Sequence, residues 1–381
     1  MKKSLLALAL LGAFTASAFA EPSVTLYGRI DTGLVYTHKN LDNTAGSTDT
    51  FSMDSGVTTG SRWGLKGSED IGNAKVGFVL ESGFNSDDGT SGQNNRLFGR
   101  EAQVNISGAY GTLYAGRLGS IASDNGTLGY LGDVSAFPSA YGFVGNQQGS
   151  TGTAYGRYDN TLAYETPTFG GLQGAIMYSF KGDATVSDSN PKEVANAREN
   201  SGDADRYLAA GLRYKAGKAA VVLTGDMTMY SNDVNNVYHD VDNGYSFILG
   251  GNYDFGVAKV FAKATYFDNQ VNVIDSFSLI KDARALSTPQ ALALKGWGAE
   301  ISTAVPAFGG AFLGTVGYRD AKDVDNGSYK FKRWNAAVGY SYAFSKRTSV
   351  YAAAGYAQEK SDAQDRKASA AQAGFGLVHK F

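Results

Sequence analysis

The chain has 381 residues, with 49 Gly, 6 Pro, 23 Tyr, 21 Phe and no Cys. The lack of cysteine excludes disulfide frameworks, thiolate metal sites and cysteine nucleophiles. Aromatic residues make up 12% of the chain, whereas disordered chains are poor in them. The formal charge of -2 gives no bulk attraction to nucleic acid.

The first twenty residues have the three parts of a secretory signal. Lys2 and Lys3 are basic, residues 5–13 are apolar, and residues 18–20 form a small-x-small cleavage site. We predict that residues 1–20 are removed and that the mature chain is 21–381. The alternative is an N-terminal membrane anchor, for which the apolar stretch is short. Without Lys2 and Lys3, the 34 basic residues become 32 against 36 acidic ones, a formal charge of -4.

Residues alternate between apolar and polar along most of the mature chain, which is the period of a β-strand. In 24–36, for example, Leu26 and Ile30 alternate with Arg29 and Asp31. No run beyond residue 20 reaches 18 apolar residues, so we expect no membrane-spanning helix. The pattern predicts sixteen strands, at 24–36, 60–68, 74–84, 97–107, 111–118, 157–165, 172–181, 205–214, 219–230, 244–253, 257–268, 295–305, 311–320, 330–343, 348–357 and 369–381.

The predicted connections alternate between short turns and long loops. The long ones are 38–59, 118–156, 182–204, 269–294 and 358–368. Antiparallel strands with turns at one rim and loops at the other are typical of a transmembrane β-barrel, and closure leaves no unpaired backbone in lipid. The alternative is a secreted β-sandwich, whose apolar strand faces would form an inner core.

Four segments resemble the trimeric neisserial type of Gram-negative general porin. They are 24–31 (VTLYGRID), 61–70 (SRWGLKGSED), 157–164 (RYDNTLAY) and the ending 376–381 (GLVHKF). The resemblance covers the whole mature chain. It implies a sixteen-stranded, water-filled barrel in the outer membrane, assembled as a homotrimer, through which small hydrophilic solutes diffuse. It also implies contact with outer-membrane lipid and lipopolysaccharide, and a terminal Phe381 that the barrel-assembly machinery reads.

Strand phase predicts which charged residues line the pore. Trp63 and Leu65 take the lipid-facing phase, which places Arg62 and Lys66 in the lumen, and the same test turns Arg29 and Arg157 inward. Clustered guanidinium groups attract anions. The alternative is that each arginine only pairs with a nearby carboxylate.

The resemblance assigns Arg62, Arg100 and Arg157 to the basic wall of a constriction. Strict alternation would turn Arg100 toward lipid with Ala102, unless a bulge lies near Gly99 or the strand begins after Arg100.

The long connection 118–156 is expected to be functional because structureless loops of this length are uncommon. The resemblance implies that it folds into the barrel and narrows the pore, with acidic groups opposite the basic wall. Asp124 and Asp133 are its carboxylates. In the porins that the chain resembles, an acid usually follows the proline of this loop, whereas 137–142 (FPSAYG) has none there. We therefore expect a mild preference for anions. The alternative is a surface loop, which its many apolar residues make unfavourable.

The sequence gives little support for other functions. His38, His239 and His379 are the only histidines, and none is placed for a catalytic triad, so we predict neither an enzyme nor a cofactor. Residues 87–88 and the set Asp320, Asp323 and Asp325 could gather calcium, but solvated surface is the simpler interpretation. A barrel receptor or a channel selective for one anionic or organic solute remains the alternative to general diffusion.

Overall fold

The computed structural model describes residues 23–42, 46–137, 149, 156–183, 197–234, 236, 239–271, 273, 279, 293–362 and 365–381. These residues form one antiparallel sheet with seventeen strand segments. In chain order they are β1 (Ser23–Asn40), β2 (Ser47–Ser55), β3 (Arg62–Asp70), β4 (Ala74–Gly83), β5 (Glu101–Gly108), β6 (Gly111–Gly119), β7 (Arg157–Glu165), β8 (Leu172–Ser179), β9 (Arg206–Ala216), β10 (Ala219–Met229), β11 (Gly244–Asp254), β12 (Lys259–Gln270), β13 (Leu294–Ala307), β14 (Gly310–Asp323), β15 (Lys330–Ala343), β16 (Thr348–Ser361) and β17 (Arg366–Lys380). One helical turn, Gly92–Asn95, and one 3-10 turn, Leu131–Asp133, lie in connections.

The sheet closes on itself through β1. One edge of β1 pairs with β17. The other edge pairs with β3 near the N-terminus of β1 and with β2 farther along. β2 and β3 therefore share one position in the wall, on either side of a break at 56–61, and the barrel has sixteen strand positions. The predicted closed antiparallel barrel of sixteen strands is confirmed.

Two predicted connections were too long. Residues 47–55, expected inside the loop 38–59, form β2. Its outward side chains include Asp49 as well as Phe51 and Met53, so the alternation that marks a lipid-facing strand is weak there. The connection 358–368 shrinks to 362–365, because β16 and β17 extend farther than their apolar pattern indicates.

Side chains alternate between the two faces of the barrel wall. In β10, Val221 and Leu223 are each 47% exposed on the outer face, whereas Val222 and Thr224 are buried on the inner face. Exposed apolar side chains on a closed sheet are what a lipid environment requires. Within the described ranges, no helix is long and apolar enough to cross a bilayer.

The two ends of the barrel differ. Short turns close one end, at 71–73, 109–110, 166–171, 217–218, 255–258, 308–309 and 344–347. The longer loops lie at the other end, which in outer-membrane barrels faces the outside. Outward aromatic rings touch one another near both ends, with Trp297–Tyr318 and Trp334–Tyr356 at the long-loop end and Phe312–Tyr340 at the short-turn end. Such rings are typical of the membrane interfaces.

The connection between β6 and β7, residues 120–156, enters the barrel. In its described part, Ile121, Leu128, Tyr130 and Val134 are buried, and they pack in one cluster with inward residues of the wall such as Tyr207, Val222 and Ile248. We call this connection the constriction loop. The inward fold predicted for it is confirmed for the described residues.

Candidate functional site: the pore constriction

Four of the predicted basic residues lie on or next to the strands from β1 to β7. Arg29 is on β1, Arg62 is the first residue of β3, and the two stand directly opposite each other. Arg100 immediately precedes β5, and Arg157 is the first residue of β7. The order of strands in the wall therefore brings these four guanidinium groups to one side of the lumen. We call Arg29, Arg62, Arg100 and Arg157 the arginine wall.

Asp31 holds the segment between β2 and β3 against Arg29 and Arg62. Its Oδ2 accepts hydrogen bonds from Thr58 N, Thr58 Oγ1 and Thr59 N, each at 2.7–2.8 Å, and its Oδ1 accepts one from Tyr351. Thr59 Oγ1 then accepts from Arg29 at 3.1 Å and from Arg62 at 2.8 Å. Asp31 is thus an anchor for the backbone segment, and the hydroxyl of Thr59 bridges two like charges that would otherwise repel each other.

Glu81 on β4 is the carboxylate nearest to the arginine wall. Its Oε1 accepts a hydrogen bond from Arg100 Nε at 2.7 Å and lies 3.6 Å from Arg62 Nη1. In the described part of the chain, it is the one carboxylate within 4.0 Å of any of the four arginines. Tyr27 also donates to Glu81, at 3.1 Å. One carboxylate therefore serves two guanidinium groups.

Arg157 contacts the constriction loop instead of a carboxylate. Its Nη2 donates to Asn125 Oδ1 at 2.9 Å, and its charge is repelled by nearby Arg100, Arg117 and Arg62. Asp159, two residues along the same strand, is bound by other arginines, Arg96 and Arg117. The buried Nε of Arg157 has no partner. Arg157 thus joins the arginine wall to the loop.

Irregular backbone explains why strict alternation misplaces two arginines. β5 begins at Glu101, four residues later than predicted. Arg100 therefore lies before the strand, and the alternation of side chains along β5 does not determine its direction. Arg117 shares the outward phase of Leu113, but the register of β6 shifts between Gly116 and Leu118. This bulge turns Arg117 inward, where it donates to Gly99 O at 2.8 Å and to Asp159 at 2.6 Å.

Lys66 lies nearer to the short-turn end than the arginine wall. It is exposed on β3, and its Nζ is 5.3 Å from the centre of the Tyr27 ring. This distance is within the range of a cation–π contact. Lys66 therefore adds a positive charge along the path from the wall toward the short-turn end.

The carboxylates of the constriction loop both lie near lysines of the far wall. Asp133 Oδ2 is 2.6 Å from Lys215 Nζ on β9, and Asp124 is within electrostatic reach of Lys263 on β12. The remainder of the expected turn, beyond Phe137, lies outside the described residues, as do residues 1–20. The described loop carboxylates thus face cations of their own.

Further contacts fix the loop at both ends of its crossing. At the start, Glu101 accepts hydrogen bonds from Thr127 N at 3.2 Å and Thr127 Oγ1 at 2.6 Å. At the far side, Ser135 Oγ donates to Glu300 at 2.5 Å, and Ala136 N donates to Ser302 Oγ at 2.9 Å. The loop therefore spans the lumen from β5 to β13. Sequence reasoning missed these anchors because a strand pattern gives no information on loop contacts.

Ionic groups also lie inside the opposite wall. Arg319 on β14 is 2.8 Å from Glu359 on β16, and Glu359 also accepts a hydrogen bond from Leu279 N at 2.6 Å. Arg319 donates to Gly149 O, which belongs to the constriction loop. The side chains of Arg319 and Glu359 are fully buried. They hold loops to the wall and are closed to solute.

Phe381 closes the barrel seam. Its backbone exchanges hydrogen bonds with Gly28, at 3.0 and 3.1 Å, and its ring lies against Gly28 Cα. Within the described residues, no group of three or more His, Asp or Glu is arranged to hold a metal ion.

The barrel and its charged constriction define a channel through an outer membrane. The Gram-negative porin family model matches residues 7–363. An outer membrane porin protein of Bordetella pertussis is 35% identical over the whole of both chains, and a major outer membrane protein P.IB of Neisseria gonorrhoeae is 30% identical over the same coverage. An anion-selective porin from Comamonas acidovorans, 22% identical, has the same fold, with a TM-score of 0.66 over 95% of this chain and 100% of its own.

The chain belongs to the Gram-negative porin family. It is an outer-membrane diffusion channel, as the resemblance of its four sequence segments predicted.

Proposed function

We propose that the channel passes small hydrophilic solutes passively, with a mild preference for anions. The observation that carries this proposal is the unequal burial of opposite charges at the constriction. Arg29, Arg62 and Arg157 are partly exposed to the lumen, whereas Asp31 and the glutamates at 81 and 101 are buried. A solute in the pore therefore meets guanidinium groups more directly than carboxylates.

The net charge of the protein favours cations, but it acts from a greater distance. Charges separated by more than about 8 Å of water are largely screened at physiological salt. Asp124 and Asp133 lie near lysines, so they oppose the arginine wall weakly. Local charge at the narrowest region is expected to outweigh the formal charge of -4. The porin from Comamonas acidovorans that has the same fold is anion-selective, which agrees with this proposal.

The reversal potential of the purified protein in a planar bilayer, measured in a salt gradient, tests the preference. Arg157→Ser and Arg62→Ser should each shift it toward cations. Arg198→Ser is the matched control, because the Arg198 side chain is 84% exposed in an outer loop and pairs with Asp203 of the same loop. Unchanged potentials in both wall variants would show that these arginines only support the loop. Conductance that saturates with one solute would favour the alternative, a substrate-selective channel.

We further propose that the protein assembles as a homotrimer. Ala352 and Ala354 are exposed on the outer face of β16, where small side chains permit close approach of a second barrel. Gly28, which also has the outward phase, does not support this, because the Phe381 ring covers it. An outer membrane protein of Vibrio cholerae with the same fold, 15% identical, was solved in a trimer form. An unheated sample should run as an oligomer on a denaturing gel, and Ala352→Trp should weaken that oligomer.

We also propose that outer-membrane lipid and lipopolysaccharide surround the barrel, and that the assembly machinery recognises Phe381 before the seam closes. We further propose that the channel has no catalytic activity. In support, His38 and His239 pair with Asp49 and Asp240 at exposed positions of the outer rim. Phe381→Ala should lower the yield of folded barrel in cells while leaving refolding in detergent intact.

A further inference from the structure

Six lysines form a continuous band on β13–β17, at the long-loop end of the barrel. The strand register places Lys295 opposite Lys322, and Lys322 opposite Lys330. On the next strands, Lys332 stands opposite Lys360, and Lys360 opposite Lys367. Directly opposite residues in an antiparallel sheet share a face, with Cβ atoms about 4.5–5.5 Å apart. We call these six residues the lysine band.

The lysine band faces outward, away from the pore. The intervening side chains of the same strands, including Arg319, Arg333 and Glu359, are fully buried on the inner side. In the phase of the band, Trp297, Tyr318 and Trp334 are exposed on the outer surface. The band therefore has no part in the constriction.

Few carboxylates oppose the lysine band. Lys360 Nζ is 2.8 Å from Asp362, and Lys332 Nζ is 4.0 Å from Asp320. Within the described ranges, no carboxylate lies within 4.0 Å of the other four, which are Lys295, Lys322, Lys330 and Lys367. Like charges directly opposite each other destabilise a sheet. Anions from outside the chain that lie over such a band would reduce this repulsion.

The height of the band on the barrel identifies those anions. Lys295 and Lys332 lie two residues beyond Trp297 and Trp334 along their strands, and Lys322 lies four beyond Tyr318. At about 3.4 Å per residue, the lysines stand roughly 7–14 Å beyond the aromatic rings. The rings mark the boundary between the acyl chains and the head groups. The ammonium groups are thus level with head-group phosphates on the outside.

We propose that the lysine band binds the phosphate groups of an outer-leaflet lipid that carries more than one phosphate. The band crosses five strands, about 19 Å in all, so it can contact several phosphates but is far too wide for a single inorganic phosphate ion. Below it, Val316 on β14 is exposed and offers an apolar surface for the acyl chains of the same lipid. This inference rests on the proposed contact of the barrel with outer-leaflet lipid, and it adds the site and the chemistry that it recognises.

Lipid titration of the purified full-length mature protein in neutral detergent tests the proposal, with native mass spectrometry as the readout. The probes are bisphosphorylated lipid A, the same lipid without phosphates, and inorganic phosphate. Wild-type protein should bind the bisphosphorylated form at least about tenfold more tightly than the dephosphorylated form, since each lysine near a membrane surface contributes to the attraction. Inorganic phosphate at the same phosphate concentration should not displace it.

The variant that removes the site carries Lys295→Gln, Lys322→Gln, Lys330→Gln and Lys367→Gln. None of these four lysines has a carboxylate of the described residues within 4.0 Å, so no ion pair is broken. The matched control removes four lysines at the short-turn end, by Lys75→Gln, Lys218→Gln, Lys346→Gln and Lys380→Gln. The variant without the four band lysines should bind bisphosphorylated lipid A at least about tenfold more weakly than wild-type protein does, and the control variant should bind it as tightly as wild-type protein. Both should keep the wild-type migration of unheated protein on a gel.

Equal binding by the two variants would overturn the proposal, as would equal binding of the lipid with and without phosphate. In the latter case, general contact with outer-leaflet lipid stands and only the phosphate site fails. If the first variant does not fold, raising the salt concentration on wild-type protein decides the matter, because phosphate binding must weaken and apolar binding must not. The channel proposal is tested separately by the reversal potential, which this band should not affect.

Discussion

The two sides of the lumen use arginine in opposite ways. On the β1–β7 side, the Arg62 side chain is 20% exposed and shares Glu81 with Arg100. On the β12–β16 side, Arg319 is 0% exposed and lies 2.8 Å from Glu359, which also stands directly opposite the buried Arg333. The same residue type is therefore an element of the pore field in one region and part of the wall structure in the other. The difference is set by access to water.

Strand geometry produces this difference. The strands β3–β8 have 8–10 residues, and those of β13–β17 have 14–15. Arg62 and Arg157 are the first residues of their strands, and their side chains stay partly exposed there. Arg319 lies within a long regular strand, where neighbouring strands and loops cover it on all sides. The arginines at the ends of short strands thus remain partly open to the lumen, whereas the arginine inside a long strand does not.

The largest effect is expected from Glu359→Gln, which would break the buried side of the comparison. The substitution leaves Arg319 buried without a countercharge, and such losses cost about 3–5 kcal/mol. The free energy of unfolding, measured by urea titration of the barrel in lipid or detergent, should fall by that amount. The reversal potential should stay at the wild-type value. The double variant Arg319→Met/Glu359→Leu should recover most of the stability, and failure to recover would indicate that the ion pair has another role.

Glu81→Gln applies the same chemical change to the exposed side, with a smaller expected cost. The Arg62 and Arg100 guanidinium groups lose their shared carboxylate, but the Arg62 side chain is partly exposed to lumen water, so a loss of about 1–3 kcal/mol is expected. Because a negative charge leaves the constriction, the reversal potential should shift toward anions. If stability fell as much as in Glu359→Gln and the reversal potential did not change, Glu81 would be a structural residue like Glu359 and would not contribute to the pore field.

Strand pattern predicted most of the fold, because one face of each strand meets lipid and the other meets water. It failed at β2, where outward residues such as Asp49 lie on an outer extension of the wall and the two faces differ little in polarity. The same pattern assigns Arg29 and Arg62 to one face, and the structure pairs these two residues directly. It could not find Arg117, whose inward position depends on a bulge, or Arg96, which lies in a connection and binds Asp159.

The loop contacts were beyond any argument from periodicity. Asn125, Thr127 and Ser135 meet partners that are 26–165 residues away in the chain. Nothing in the spacing of these polar residues marks them as anchors, because Ser, Thr and Asn are common in exposed loops as well. The arginines were recognised by type and by resemblance, whereas the way in which each is held required coordinates.

Thr127→Val is expected to have an intermediate effect, at the point where the constriction loop joins the exposed side. The substitution keeps the backbone bond to Glu101 but removes the 2.6 Å hydroxyl bond to its carboxylate. Hydrogen bonds to charged groups contribute about 1.5–3 kcal/mol, and part of this is retained here through the backbone. We expect a loss of about 1 kcal/mol and larger fluctuations of single-channel current. Thr166→Val, in a turn at the opposite end, is the control for current noise and should leave it unchanged.

The smallest effect is expected from Lys215→Gln, which tests whether the loop carboxylates are screened by the far wall. Lys215 is 51% exposed and pairs with Asp133, and exposed pairs of this kind contribute about 0–1 kcal/mol. Stability should therefore change little. The charge of Asp133 would no longer be balanced, so the anion preference should decrease slightly. Lys218→Gln, in the turn three residues away, removes the same charge without releasing Asp133 and should leave the preference at the wild-type value. If the two variants shift the reversal potential equally, Asp133 has no role in selectivity, and the arginine wall sets it alone.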